Sequence, residues 1–345
     1  MLTVLCIGQP LQNRILIAKS YDGVDWQRTG LVFCDSGDVP DAVRGSDNRV
    51  YVYYQGLWDP LHDGIMVAIS SNGIADWERY QVSIPGTHGW PGKPCDPDVV
   101  VLRDTFRLYF TGDPDNDRLP ETYSAVSLDG RNFDLESGVR FEVPGSAVLD
   151  PSLLWAGETL QYFAGGAPLG RNWHAHSVDG LNFVREPDVA IDSLMFSNGV
   201  ALDSGFRFYG FRNLPPGGIK SVFSDDGEIW VVEPGWRLQL DSLHPLESRY
   251  VKDAAVVHVD SVWLMYYVTR KREMGIAAPD TCILQGAVSV MVMKNDQIWT
   301  PSSGWLTDAA GRRCLYLVPG CNSIRNIPTG IYFLLSKQPG RTMLG

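Results

Sequence analysis

The stretch Asp150–Phe183, DPSLLWAGETLQYFAGGAPLGRNWHAHSVDGLNF, decides the fold. An Asp heads an apolar run (Leu153, Leu154, Trp155). A Gly-Glu turn leads to a second run ending in Gly-Gly. A polar loop leads to a third run, which closes on Ser177-Val178-Asp179-Gly180, and Phe183 begins a fourth. Short β-type runs separated by turn residues read as an antiparallel meander.

The same pattern recurs along the chain. An acidic or amide residue heads an apolar strand at Asp41, Asp96, Asp150, Asn198 and Asp253, at intervals of 48–55 residues. A Ser-x-Asp/Asn-Gly turn followed by an aromatic recurs at Ser20–Trp26, Ser70–Trp77, Ser127–Phe133, Ser177–Phe183 and Ser224–Trp230. Between the marks lies an aromatic strand, as in YVYYQG (51–56) or FRLYFTG (106–112). Four antiparallel strands per repeat of about 50 residues predict the blade of a β-propeller. The fold class is therefore all-β. The chain is expected to form one propeller domain over residues 1–345. Residues 14–33 hold only a third and fourth strand, and Asp308 lies one repeat beyond Asp253. Six blades are favoured on that count, with five as the alternative and the ring closed by the N- and C-terminal strands.

In such a fold the strand-head residues ring the axial mouth of one face, and the Ser-x-Asp-Gly turns line the opposite rim. The turns read as structural: Asp caps turn amides and Gly takes positive φ. The strand heads bring carboxyls together, where repulsion and burial shift their pKa values. The loops of the mouth face hold Trp58, His62, Trp90, Glu121, Arg171, Trp173, Arg212 and Glu247. Flat apolar faces beside carboxylates and amides suit a polyhydroxylated ligand.

Composition narrows the partners. A formal charge of −11 with no basic run argues against nucleic acid and anionic membranes. Six scattered cysteines form no CxxC pair and read as free thiols. Met1–Ile7 is apolar but too short for a signal peptide, so a soluble, cytoplasmic protein is expected. His174 and His176 share a strand face without a third ligand nearby, so no metal site is expected from them. No cofactor is expected, with an axial calcium among the carboxylates as an option.

The Asp-Pro strand heads (Asp96-Pro97, Asp150-Pro151), Asp41 in the first repeat and the Ser-x-Asp-Gly turns resemble the β-propeller glycoside hydrolases of the arabinanase/xylosidase and fructosidase types. The resemblance spans nearly the whole chain as architecture. It implies a first-blade base or nucleophile at Asp41, and supporting or acidic groups at Asp96 and Asp150. It leaves the catalytic acid unmatched: the fourth repeat offers Asn198, and the third offers Asp150 where a Glu is expected. Asp150, Glu247 or Glu121 remain open as the acid. Asn198 and Asp253 join Trp58, His62, Trp90, Glu121, Arg171, Trp173 and Arg212 as substrate-binding candidates. The implied function is action on a carbohydrate or oligosaccharide. The alternatives are a propeller that binds glycan or another small ligand without cleaving it, one recruited to other chemistry, or a sialidase-like enzyme.

Overall fold

The computed structural model describes residues 12–56, 64–168, 170–212 and 217–271, together with short strands between 293 and 336. The chain opens with β1 (Asn13–Ser20) and β2 (Gln27–Cys34). The first complete blade follows as β3 (Gly37–Arg44), β4 (Val50–Gly56), β5 (Gly64–Ser70) and β6 (Glu78–Gln81). The second is β7 (Cys95–Leu102), β8 (Thr105–Gly112), β9 (Glu121–Ser127) and β10 (Asp134–Leu135). The third is β11 (Leu149–Ala156), β12 (Thr159–Gly165), β13 (Asn172–Ser177) and β14 (Val184–Val189). The fourth is β15 (Met195–Leu202), β16 (Gly205–Arg212), β17 (Gly218–Ser224) and β18 (Val231–Val232), with β19 (Leu238–Gln239) also on β17.

The fifth blade is made from both parts of the chain. β20 (Val251–Val259) and β21 (Val262–Arg270) supply its inner strands, and β1 and β2 supply its outer ones. The register runs from Asn13 opposite Arg270 to Ser20 opposite Trp263. Pairing the termini covers the edge that β21 would otherwise expose. The innermost strands β3, β7, β11, β15 and β20 pack in succession, and β20 returns to β3.

Among the described residues the propeller has five blades, not the six favoured by the repeat count. The N-terminal pair belongs to the repeat headed by Asp253, which provides only two strands of its own. The strands after residue 292 belong to a separate compact unit, Met274–Gly345. There β22 (Met293–Lys294), β23 (Gln297–Thr300) and β26 (Gly320–Ser323) form one sheet. A second holds β24 (Gly304–Asp308), β25 (Arg313–Leu317) and β27 (Tyr332–Ser336). Asp308 ends β24 opposite Tyr332 and heads no axial strand.

The Ser-x-Asp-Gly turns do the structural work expected of them. In the second blade Asp129 Oδ1 accepts from the amides of Arg131 and Asn132 at 2.8 Å, and the Gly130 amide donates to Ser127 Oγ at 3.0 Å. The same geometry recurs at Ser20, Ser70, Ser177 and Ser224. Four of the five turns are also gripped by the preceding blade. Tyr53, Tyr109, Tyr209 and Tyr266 donate their hydroxyls to the carbonyls of Gly130, Gly180, Gly23 and Gly73 at 2.7–2.8 Å. All four rings are buried between blades. The third blade departs from this: Phe163 pairs with Ser152 where the others place Tyr, and it packs edge-on against Trp230 of the fourth blade.

Two substitutions test this clamp. Tyr53→Phe leaves the buried Gly130 carbonyl short of a donor and should cost about 1–2 kcal/mol. Gly130→Ala should cost more, because φ there is +69° and a methyl would sit 2.9 Å from the Tyr53 hydroxyl. Chemical denaturation measures both, and wild-type stability in either variant would contradict the role of the clamp.

Candidate functional site

Each innermost strand begins with a bulge. The pairing register slips between Asp38 and Asp41 in β3, Cys95 and Asp98 in β7, and Leu149 and Ser152 in β11. It slips between Lys252 and Ala255 in β20, and over one residue fewer, between Phe196 and Asn198, in β15. The residue opening the longer bulges has positive φ: Val39 (40°), Asp96 (52°), Asp150 (50°) and Asp253 (44°). Left-handed backbone at a non-glycine residue stores strain and re-aims the side chain, a combination frequent at binding sites.

The bulge divides the strand-head residues into two tiers. Asp96, Asp150 and Asp253 occupy equivalent upper positions, and Val39 holds that position in the first blade. Asp41 falls two residues later, in register with Asp98, Ser152, Asn198 and Ala255.

The lower tier joins blades. Asp41 Oδ2 accepts from the Val99 amide of the second blade at 2.8 Å, and Asp41 Oδ1 accepts from Asn198 Nδ2 of the fourth at 2.8 Å. Asp98 Oδ1 accepts from the Leu153 amide of the third blade at 3.2 Å. Asn198 Oδ1 accepts from the Val256 amide of the fifth at 2.9 Å. Asp41 and Asp98 are each only 2% exposed. Burial pushes Asp41 up to about 6, against the hydrogen bonds from Val99, Ala42 and Asn198 that favour its charge. Burial, and then the charge of Asp41, lifts Asp98 well above the usual carboxylate range. Ser152 Oγ is buried without a hydrogen-bond partner.

The upper tier gathers the carboxyls expected at the mouth and adds two residues that sequence reasoning passed over, Asp38 and Lys252. Lys252 Nζ bonds Asp38 Oδ1 at 2.9 Å and also bonds Asp253 Oδ2. Asn13 Nδ2 donates to Asp38 Oδ2 at 2.6 Å. Burial works against the Lys252 charge, but Asp253 and Asp38 overcome it and hold the ammonium protonated. Asp150 is raised well above its usual value, first by burial and next by the charge of Asp96, with which it shares a hydrogen bond. Burial raises Asp253 to about 7, although Lys252 opposes the shift. Cys95 Sγ lies 3.5 Å from Asp96 Oδ2. Aligning the repeats on their prolines (Pro40, Pro97, Pro151) rather than on their acids exposes this register in the sequence.

The other candidates stand outside the two tiers. Glu247 is fully buried and takes a bidentate bond from Arg28 of β2, at 2.6 and 3.0 Å, with the Tyr267 hydroxyl at 2.7 Å. These partners belong to β2 and β21, so the carboxylate ties an outer strand of the fifth blade to an inner one. Glu121 opens β9 and accepts from Tyr123 OH at 2.9 Å; burial raises its pKa. Trp90 packs edge-on against Tyr123, ring centres 4.8 Å apart. Trp173 is buried, with Nε1 donating to the Ala147 carbonyl at 3.1 Å. Arg171 is exposed, and Arg212 lies 4.0 Å from Asp192. Trp58 and His62 lie outside the described residues.

His174 stacks on Phe163 at 4.6 Å and meets Gln161 Oε1 at 3.0 Å; burial lowers its pKa to about 4. His176 Nδ1 faces Glu186 at 3.0 Å. Among the described residues no three His, Cys, Asp or Glu side chains form a metal-holding group. None of the described helices is long and apolar enough to cross a membrane.

No protein-family model matches the chain, and no curated protein does. Solved structures do match. A thermostable family-43 glycoside hydrolase has a TM-score of 0.53 at 14% identity, over 68% of this chain and 88% of that one. A putative glycoside hydrolase from Parabacteroides distasonis has a TM-score of 0.51 at 14% identity, over 68% and 86%. A family-43 β-xylosidase/α-arabinofuranosidase from a compost microbial metagenome, in complex with xylotriose, has a TM-score of 0.51 at 16% identity, over 68% and 90%. The chain therefore folds as these propeller glycoside hydrolases do, as its Asp-Pro strand heads led us to expect.

The axial carboxyls make stability depend on pH with a definite sign. Asp41, Asp98, Asp150 and Asp253 have raised folded pKa values, so their contribution is complete below the unfolded value of 3.8. It is lost as pH rises through about 6 for Asp41 and about 7 for Asp253. Turn carboxylates with lowered values, such as Asp129 and Asp179, matter only below about pH 4. His174 acts in the opposite sense between about 4 and 6.5, one group against four. The melting temperature should fall as pH rises from roughly 5 to 8, and Asp253→Asn should flatten the slope. Calorimetry across that range checks this; a melting temperature that climbs instead would contradict it.

Proposed function

We propose that the axial mouth cleaves a glycosidic bond by acid–base catalysis, with Asp150 as the acid and Asp253 as the base. One observation carries the reading. Asp150 and Asp96 share a hydrogen bond in a buried mouth, where two charges cannot both stand, while Asp253 is held by Lys252. A pair of carboxyls with separated pKa values is what glycoside cleavage requires.

Asp150 gives its proton to the leaving oxygen as the bond to the anomeric carbon breaks. Asp253 takes a proton from water, whose oxygen bonds to that carbon. The proton then returns from Asp253 to Asp150 through solvent. Asp96 accepts the Asp150 hydrogen bond and sets which member of the pair is protonated. Lys252 keeps Asp253 from titrating still higher and orients it, and Asp38 anchors Lys252. Asp41 takes no chemical step in this scheme, since both its oxygens are spent on Val99 and Asn198. The substrate class is an oligosaccharide, consistent with the xylotriose complex of one structural neighbour.

Val39 favours a second reading, binding without cleavage. It stands where the first blade would present a carboxyl equivalent to Asp96, Asp150 and Asp253. Aryl arabinofuranosides, xylosides, fructosides and sialosides separate the two. Release of the aryl group supports hydrolysis. Saccharide binding without release supports the second reading.

The acid and base assignments predict a pH profile. Because Asp253 must be ionised, kcat/KM should rise through about pH 7, and Asp253→Asn should remove that limb. Asp150→Asn should lower turnover by about 100-fold or more with the fold retained. Undiminished turnover in Asp150→Asn would remove it as the acid.

A further inference from the structure

A groove of about 530 Å³ lies on the first blade, between Gly64 at the start of β5, Gln81 at the end of β6, and residues 82–94 leading into β7. Antiparallel alternation puts the start of β5, the end of β6 and the start of β3 on the same face. The groove therefore opens on the face of the axial carboxyls. Its lining ends at Pro94, two residues before Asp96. Two extended residues span at most about 7 Å, so groove and mouth adjoin.

The chemistry of the lining is specific. Trp90 is half-buried. Its inner side is fixed by Tyr123, by Phe110 at 6.2 Å and by the backbone of Gly112, and it also lines the groove. Around it stand the hydroxyls of Ser83 and Thr87 and the ring of His88. A rigid indole bordered by groups that donate and accept hydrogen bonds matches the apolar face and polar rim of a sugar ring. The volume lies within the range of pockets that take small molecules.

We propose that this groove is a second saccharide subsite, so that the protein takes an oligosaccharide with one unit in the axial mouth and a following unit against Trp90. The proposal rests on reading the mouth as a carbohydrate site. It makes chain length the property that the protein selects.

The test uses the full chain and calorimetric binding of mono- and trisaccharides from the xylan, arabinan and fructan series. In the series that binds, the trisaccharide should bind about tenfold more tightly than the monosaccharide, the gain expected of one stacked ring. Trp90→Ala should abolish that gain. Because Trp90 also packs against Tyr123, Gly92→Trp provides a second variant. Gly92 lines the groove and a Cβ there would have no atom within 4 Å, so a larger residue starts in open space beside Trp90. Gly92→Trp should remove the trisaccharide gain and leave monosaccharide affinity unchanged. Equal affinity for both lengths in the wild type, or a gain that survives Gly92→Trp, overturns the subsite while leaving the mouth proposal standing. Absence of binding in every series overturns both.

Discussion

The hydrogen bond from the Val99 amide to Asp41, 2.8 Å long, is one link in the set that holds the axial strands together. In the second, third and fifth blades a backbone amide beside the bulge is taken up by a polar side chain of the preceding blade: Val99 by Asp41, Leu153 by Asp98 and Val256 by Asn198. A buried amide left unpaired would cost about 1–3 kcal/mol, so these links are a condition of closing the ring. Asn198 serves twice, accepting from Val256 and donating to Asp41 across the axis. The arrangement has a consequence for chemistry. Asp41, which holds the lower tier, also sets its charge near Asp98, and that charge adds to the burial that raises Asp98.

Above that tier the strain of the bulge points Asp96, Asp150 and Asp253 into one opening. Lys252 is set between Asp38 and Asp253, so the carboxyls differ in environment although they are equivalent in register. One is paired with a cation and one shares a hydrogen bond with a neighbour. In the proposed mechanism the division of labour between acid and base rests on that asymmetry rather than on residue type.

Much of this was legible in the sequence. The Ser-x-Asp-Gly turns are local devices, each closed by atoms within a few residues, and so they announce the blades plainly. The blade count was not legible, because it depends on β1 finding β21 across some 250 residues, and because Asp308 falls at the repeat spacing for no axial reason. The acids that head the inner strands stand out in the sequence, but their register does not. A two-residue bulge separates Asp96 from Asp98, and Asp41 was matched with the first when its hydrogen bonding matches the second. The one repeat interval of 48 residues runs from Asp150 of the upper tier to Asn198 of the lower, a sign in the sequence that the strand heads are not equivalent; the shorter bulge in β15 accounts for only one residue of the difference. Glu247 had the right chemistry for an acid, but Arg28, 219 residues away, claims it. No local pattern reveals such a partner.

The account stands on a proton held between Asp150 and Asp96 at neutral pH. Infrared difference spectroscopy of the wild type against Asp150→Asn measures it directly through the carbonyl stretch of a protonated carboxyl. The account predicts a protonated-carboxyl band at pH 7 that disappears in the variant while the Asp98 band remains. A wild-type spectrum with no such band, or one unchanged by Asp150→Asn, would contradict it.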